Sequence, residues 1–182
     1  MNTLEPWREE ELREKGYRMA FYNIDRGDPD GQLAYEDSIM ATGEYTLANL
    51  LRHEVTGAPH AIGAASLGLF SILRVLHEGE MYEKGYLPKP HGGMRRAGYS
   101  HEISVDQYIK AVVAMQAYRP FASPRLNRLL DEKLVDMADY HFNRDFIHPR
   151  RESFVTTPEN RTHGIAFYLP ICWLAWRITG DE

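Results

Sequence analysis

Apolar side chains along this chain recur at intervals of three and four residues, the spacing that lays a stripe down one side of an α-helix. Five segments carry the pattern, at about 37–56, 60–78, 104–118, 124–143 and 163–179. Their ends are punctuated. Gly57 is placed to cap the first helix, and Ala58-Pro59 turns the chain into the second, which stops at Gly79. Ser104 is an N-cap for the third, and Arg119-Pro120 breaks it. Ser123-Pro124 opens the fourth with proline at the first helical position. Thr179-Gly180 closes the last, in which Pro170 either kinks the helix or marks its true start. A short charged helix fits 4–15, and Tyr17 to Leu33 reads as loop, with Gly27, Asp28-Pro29 and Asp30-Gly31. The expectation is an all-α fold with no sheet beyond a stray hairpin. An N-terminal segment, 1–32, precedes an α-hairpin repeat domain, 33–182.

The helix ends repeat. Thr56-Gly57 and Thr179-Gly180 each close an apolar helix, and the Arg119-Pro120 break falls almost midway between them. That gives a period of roughly sixty residues, a helix pair plus a loop, as helical arrays show. The helices also differ in kind. The third (Ile109, Val112, Val113, Met115) and the last (Phe167, Leu169, Ile171, Trp173, Leu174, Trp176) are apolar nearly all round, which predicts burial on every side. The fourth has one stripe, Leu126, Leu129, Leu130, Leu134, Met137 and Ala138, and one wet face. First helices inside and second helices outside would make a two-layered arc or ring, although the second helix fits that scheme poorly.

Composition narrows the functions. A net charge of −5 argues against a nucleic-acid partner, which selects for basic excess. One cysteine, Cys172, excludes an internal disulfide and a Cys-based zinc site, and its apolar helix makes it core rather than nucleophile. No apolar run looks long enough for a membrane span, and Met1 to Lys15 lacks the apolar stretch of a signal peptide, so a cytoplasmic protein is expected. No metal or cofactor is expected: the eight histidines lack ligand spacing, and His53-Glu54-Val55-Thr56-Gly57 has glycine where a zincin helix needs its second histidine.

If the first helices form an inner layer, their N-termini share a rim, and unusual polar residues gather ahead of each. They are Tyr35, Glu36, Asp37 and Ser38; Tyr99, His101, Glu102, Ser104, Asp106 and Gln107; and Glu159, Asn160, Arg161 and His163. Carboxylates brought together there suit acid–base or nucleophilic work on a glycosidic bond. The competing reading is that Asp37, Ser104 and Asp106 are ordinary caps and first-turn acids. Two long loops are basic (Lys84, Lys89, Arg95 and Arg96; Arg144, Arg150, Arg151 and Arg161), which suits holding a carboxylate or sulfate and equally suits a solvated loop. Tyr82, Tyr86, Tyr99 and Phe154 are either sugar-stacking rings or core-facing lids.

Tyr35-x-Asp37-Ser38, a helix ending Val55-Thr56-Gly57, and Ser104-Val105-Asp106-Gln107 opening a helix together resemble the (α/α)-toroid carbohydrate-active enzymes, the six-hairpin glycosidases and their polysaccharide-lyase relatives. The resemblance spans about 33–182 and implies a site on the inner-helix rim. It implies catalytic or sugar-binding positions for the acidic residues Asp37 and Asp106, and a glycan, often uronate-containing, as substrate. The rim argument adds His101 and Glu102 as catalytic candidates, and Gln107, Tyr99, Arg96, Arg151, Glu159 and His163 as residues that would hold the saccharide. A closed toroid needs about six hairpins and this chain supplies two and a half. The expectation is therefore a fragment or subunit completed by a homodimer partner or a missing remainder, with an exposed apolar flank centred on Phe167, Trp173 and Trp176. The alternative function is a non-catalytic helical-repeat scaffold binding a protein.

Overall fold

The computed structural model describes residues 26–27, 33–34, 38–89, 103–150, 154–156 and 162–180. It is all-helical in architecture, with α1 (Ser38–Thr56), α2 (Pro59–Glu80), α3 (Val105–Tyr118), α4 (Pro124–Phe142) and α5 (Thr162–Thr179). A single 3-10 turn, Arg119–Phe121, follows α3. Two short antiparallel ladders pair β1 (Arg26–Gly27) with β2 (Leu33–Ala34) and β3 (His148–Arg150) with β4 (Phe154–Thr156). The helix expected at 4–15 lies outside the described residues.

The punctuation explains most of these limits. Gly57 and Gly180 both take the left-handed conformation, φ 65° and 76°, which side chains with a Cβ resist. Each donates its N–H to the carbonyl four residues back, His53 and Trp176, at 2.7 Å. Thr56 and Thr179 then turn their hydroxyls onto the carbonyls of Arg52 and Ala175, so the two Thr-Gly ends are the same device. The Ser123 hydroxyl accepts from Leu126 N–H and caps α4 as expected. Ser104 occupies the N-cap of α3 without a side-chain cap bond; its carbonyl accepts from Gln107 and Tyr108 instead. α2 passes through Gly79 to Glu80, and Pro170 lies inside α5 rather than at its start.

Three contacts fix the register of the hairpins. Gly43 of α1 lies against Lys110 of α3, and His53 of α1 sets its ring edge-on to Phe121 just past the end of α3. Early residue meets early and late meets late, so α1 and α3 run parallel. Tyr108, in the first turns of α3, meets Phe167, in the first turns of α5, at 6.1 Å between ring centroids. Between them α2 returns antiparallel, its Ser66 bonding the Tyr118 hydroxyl at 2.6 Å. α4 returns likewise, placing His141 beside Phe167 and Tyr168. Hence α1, α3 and α5 start at one end of the molecule, in chain order across it, with α3 in the middle. The tight links, 57–58 and 119–123, lie at the opposite end.

Small residues let α1 approach its neighbours. Ser38, Thr42, Gly43 and Thr46 are buried along one face, and the Thr42 and Thr46 hydroxyls satisfy themselves on the carbonyls one turn back. A Cβ on Gly68 of α2 would strike the Thr46 hydroxyl, and one on Gly43 would sit 2.8 Å from the Lys110 carbonyl. The core around this seam is Ile39, Leu69, Ile72, Leu76, Tyr108, Met115 and Tyr118, reaching Leu130, Leu134 and Met137 of α4.

Three expectations are corrected. α2 is a span of 22 residues apolar enough to cross a membrane by length and composition, whereas the sequence reading found no such run. It packs along α1 and α3, with half of its most apolar window buried. Leu129 of the α4 stripe is exposed, because it stands at the edge of the stripe, about a quarter-turn from the buried Leu130, while Leu126 packs on the core. α5 is not buried all round. Phe167, Tyr168 and Ile171 face the core, while Leu169, Trp173 and Trp176 are 70%, 54% and 44% exposed, because no described element packs on that side. The exposed flank expected around Phe167 is therefore centred on Leu169 and the two tryptophans.

Candidate functional site

The end at which α1, α3 and α5 begin also receives the C-termini of α2 and α4. From α2 the chain crosses over α4 through residues 81–89, and this strap is fixed side chain by side chain. Lys133 of α4 holds Glu80 at 2.9 Å and Asp136 at 3.5 Å. Arg144 pairs with Glu83 and covers the Tyr140 ring at 4.7 Å, on which Tyr86 also stacks. Gly85, at φ 72°, lets the strap lie directly on the Asp136 carbonyl, where a Cβ would collide. Tyr108 ties the strap to α3: its hydroxyl donates to the Gly85 carbonyl at 2.9 Å and accepts from Leu87 N–H at 2.7 Å.

Beneath the rim lies an aromatic floor of Tyr108, Tyr140, His141, Phe167 and Tyr168, packed mostly edge-to-face or tilted at 4.6–6.3 Å. Burial pushes the Tyr108 phenol well above its ordinary value, and burial with the neighbouring Tyr140 pushes Tyr168 up to about 12. These phenols are neutral hydrogen-bonding groups, not bases. Cys172 is half-buried, and burial and Asp139 raise its thiol, consistent with a core residue.

Above the floor, charge runs along the seam between α1 and α3. Asp106 is exposed in the first turn of α3, where the helix N-terminus favours negative charge. Lys110 stands one turn on, so the two side chains are neighbours on one helix face. Its ammonium reaches Glu44 of α1 at 3.0 Å. Two carboxylates and an ammonium thus occupy the first two turns of the seam. Such a set can accept hydrogen bonds through its carboxylates and donate them through its ammonium. Glu44 and Lys110 escaped the sequence reading because they meet only through the interhelical register, and Glu44 carries no signal of its own.

Of the expected site residues, Asp106 is exposed on the rim and Gln107 is buried beside Tyr108. His163 is the second residue of α5, at the same end as Asp106. Asp37, Arg96, Tyr99, His101, Glu102, Arg151 and Glu159 lie outside the described residues, as do Arg95 and Arg161. In the basic loops, Arg144 is taken up by Glu83 and Tyr140, Lys89 is buried, and Lys84 is exposed, 3.8 Å from Asp136. Tyr86 is a core-facing lid and Tyr82 is exposed. Among the described residues no group of His, Cys, Asp and Glu is arranged to hold a metal ion. Comparison with protein-family models, with curated proteins and with solved structures finds no match.

Proposed function

We propose that the chain is part of a glycan-degrading enzyme of the α/α-toroid kind, acting on an acidic saccharide at the rim where α1, α3 and α5 begin. One observation carries this reading. Three parallel helices start at one end of the molecule, and the middle one presents an exposed carboxylate, Asp106, beside the Lys110–Glu44 pair from the neighbouring seam. In this reading Asp106 serves as acid, base or nucleophile at the glycosidic bond, and Lys110 opposes the carboxylate of a uronate.

The test uses uronate-containing oligosaccharides. Ligand-observed NMR measures binding, and release of reducing ends or of unsaturated products measures cleavage. The wild-type chain should bind and cleave at least one such oligosaccharide. Asp106→Asn should lose about 100-fold or more of the rate with unchanged circular dichroism. Equal rates in the two proteins would remove Asp106 from the chemistry. Absence of both binding and cleavage across the panel would sink the reading in favour of a non-catalytic scaffold.

A further inference from the structure

Two parts of the molecule that are far apart in the chain share their anchors. One is the strap, 81–89, and the other is α5, an edge of the row α1, α3, α5. Tyr108 is the first shared anchor: its hydroxyl holds Gly85 and Leu87 of the strap, and its ring meets Phe167 of α5. The second is the turn that ends α4, residues 143–146. There Arg144 pairs with Glu83 of the strap and lies over Tyr140. Two residues on, Phe146 packs its ring against Tyr168 of α5 at 4.9 Å and against Phe142 at 6.2 Å.

To serve both parts the turn takes a backbone that its residues disfavour. Asp145 and Phe146 are left-handed, at φ 52° and 60°, the only non-glycine residues so placed among the described ones. Asp tolerates that region, whereas for a bulky residue such as Phe it is an outlier. Within the turn, Asp145 N–H donates to the Phe142 carbonyl at 3.1 Å and Phe146 N–H to the His141 carbonyl at 2.9 Å. A strained backbone of this kind persists where its surroundings over-determine it. Here the surroundings are the strap, gripped by Arg144, and α5, gripped by Phe146. Loss of either grip leaves the turn free to relax and loosens the other. We propose that the 143–146 turn is a strained latch that couples the strap to α5, so that the two open and close together. The coupling is reciprocal: whatever restrains α5 restrains the strap, and the reverse. It is independent of the glycan reading.

Native-state hydrogen exchange of the full chain reads both parts at once. The Leu87 amide, held by the Tyr108 hydroxyl, reports the strap, and the amide of the fully buried Ile171 reports α5. Phe146→Ala removes the grip on α5 and keeps Arg144 and Glu83; it should speed exchange at Leu87 about fivefold or more. Glu83→Ala removes the grip on the strap and should speed exchange at Ile171 by a similar factor. Both accelerations should exceed any change at Leu69 and Ile72 in the core of α2. Asp145→Gly relaxes the left-handed turn without removing either grip and should slow both reporters. Acceleration confined to the part whose own contact was removed would overturn the proposal. So would equal acceleration at Leu69 and Ile72, which marks general destabilisation, or an Asp145→Gly variant with both rates unchanged.

Discussion

α3 and α5 are similar helices in different places. Both are rich in apolar residues on nearly every side, and both begin at the same end of the molecule on a shared aromatic floor. α3 is enclosed by α1 and α2 and touches α5, and only its Asp106 and Val113 positions are well exposed. α5 is held by α4 and, more lightly, by α3, and leaves two tryptophans in solvent. The difference teaches that apolarity all round a helix states how many sides want cover, not whether the chain supplies it. A middle position in the row satisfies that demand internally. An edge position passes it outward.

The comparison can be broken at its strongest point by truncating the enclosed helix. Met115 is fully buried, and Met115→Ala should cost about 2–5 kcal/mol in a urea titration. A cost below about 1 kcal/mol would mean that α3 is not enclosed as described.

The shared floor makes a pH prediction. The phenol of Tyr168 ionises near 10 in the unfolded chain and at about 12 in the folded one. Its contribution is fully present below pH 10 and is lost as pH climbs from there towards 12, because the unfolded chain releases its proton first. Tyr108 is shifted in the same direction. Urea midpoints measured from about pH 9 to about pH 11.5 should therefore fall, and less steeply in Tyr168→Phe. An unchanged slope in the variant would place Tyr168 outside the dry floor.

At the open edge the effect should be smallest. Trp173→Ala should change stability in a urea titration by no more than about 0.5 kcal/mol. A loss like that of Met115→Ala would show that Trp173 is buried within its own chain.

The five helices were legible because local chemistry determines them. The Thr-Gly ends and Ser123-Pro124 act within one or two turns, and each proved to be the device its residues suggest. Ser104 shows the limit of local reading, since a strap anchored by Tyr108 fixes that helix start without a side-chain cap. The direction of the row was also inferred from sequence, by supposing that alternate helices share a layer, and the Gly43–Lys110 and Tyr108–Phe167 contacts give it physical form. The Glu44–Lys110 pair was not legible, because it depends on which turn of α1 meets which turn of α3. The open side of α5 was legible in part: Trp173 and Trp176 are exposed as the short hairpin count leads one to expect, whereas Phe167 faces the core, because the open side depends on where α3 and α4 pack. At the rim, Asp106 was read correctly as a first-turn acid, a role compatible with both capping and chemistry.

The central claim is that α1, α3 and α5 run parallel and begin at one rim, and proton–proton Overhauser contacts test it most directly. The account predicts contacts between Gly43 and Lys110, between His53 and Phe121, and between the Tyr108 and Phe167 rings. Contacts of Gly43 with Phe121 and of His53 with Lys110 would make α1 and α3 antiparallel and contradict it.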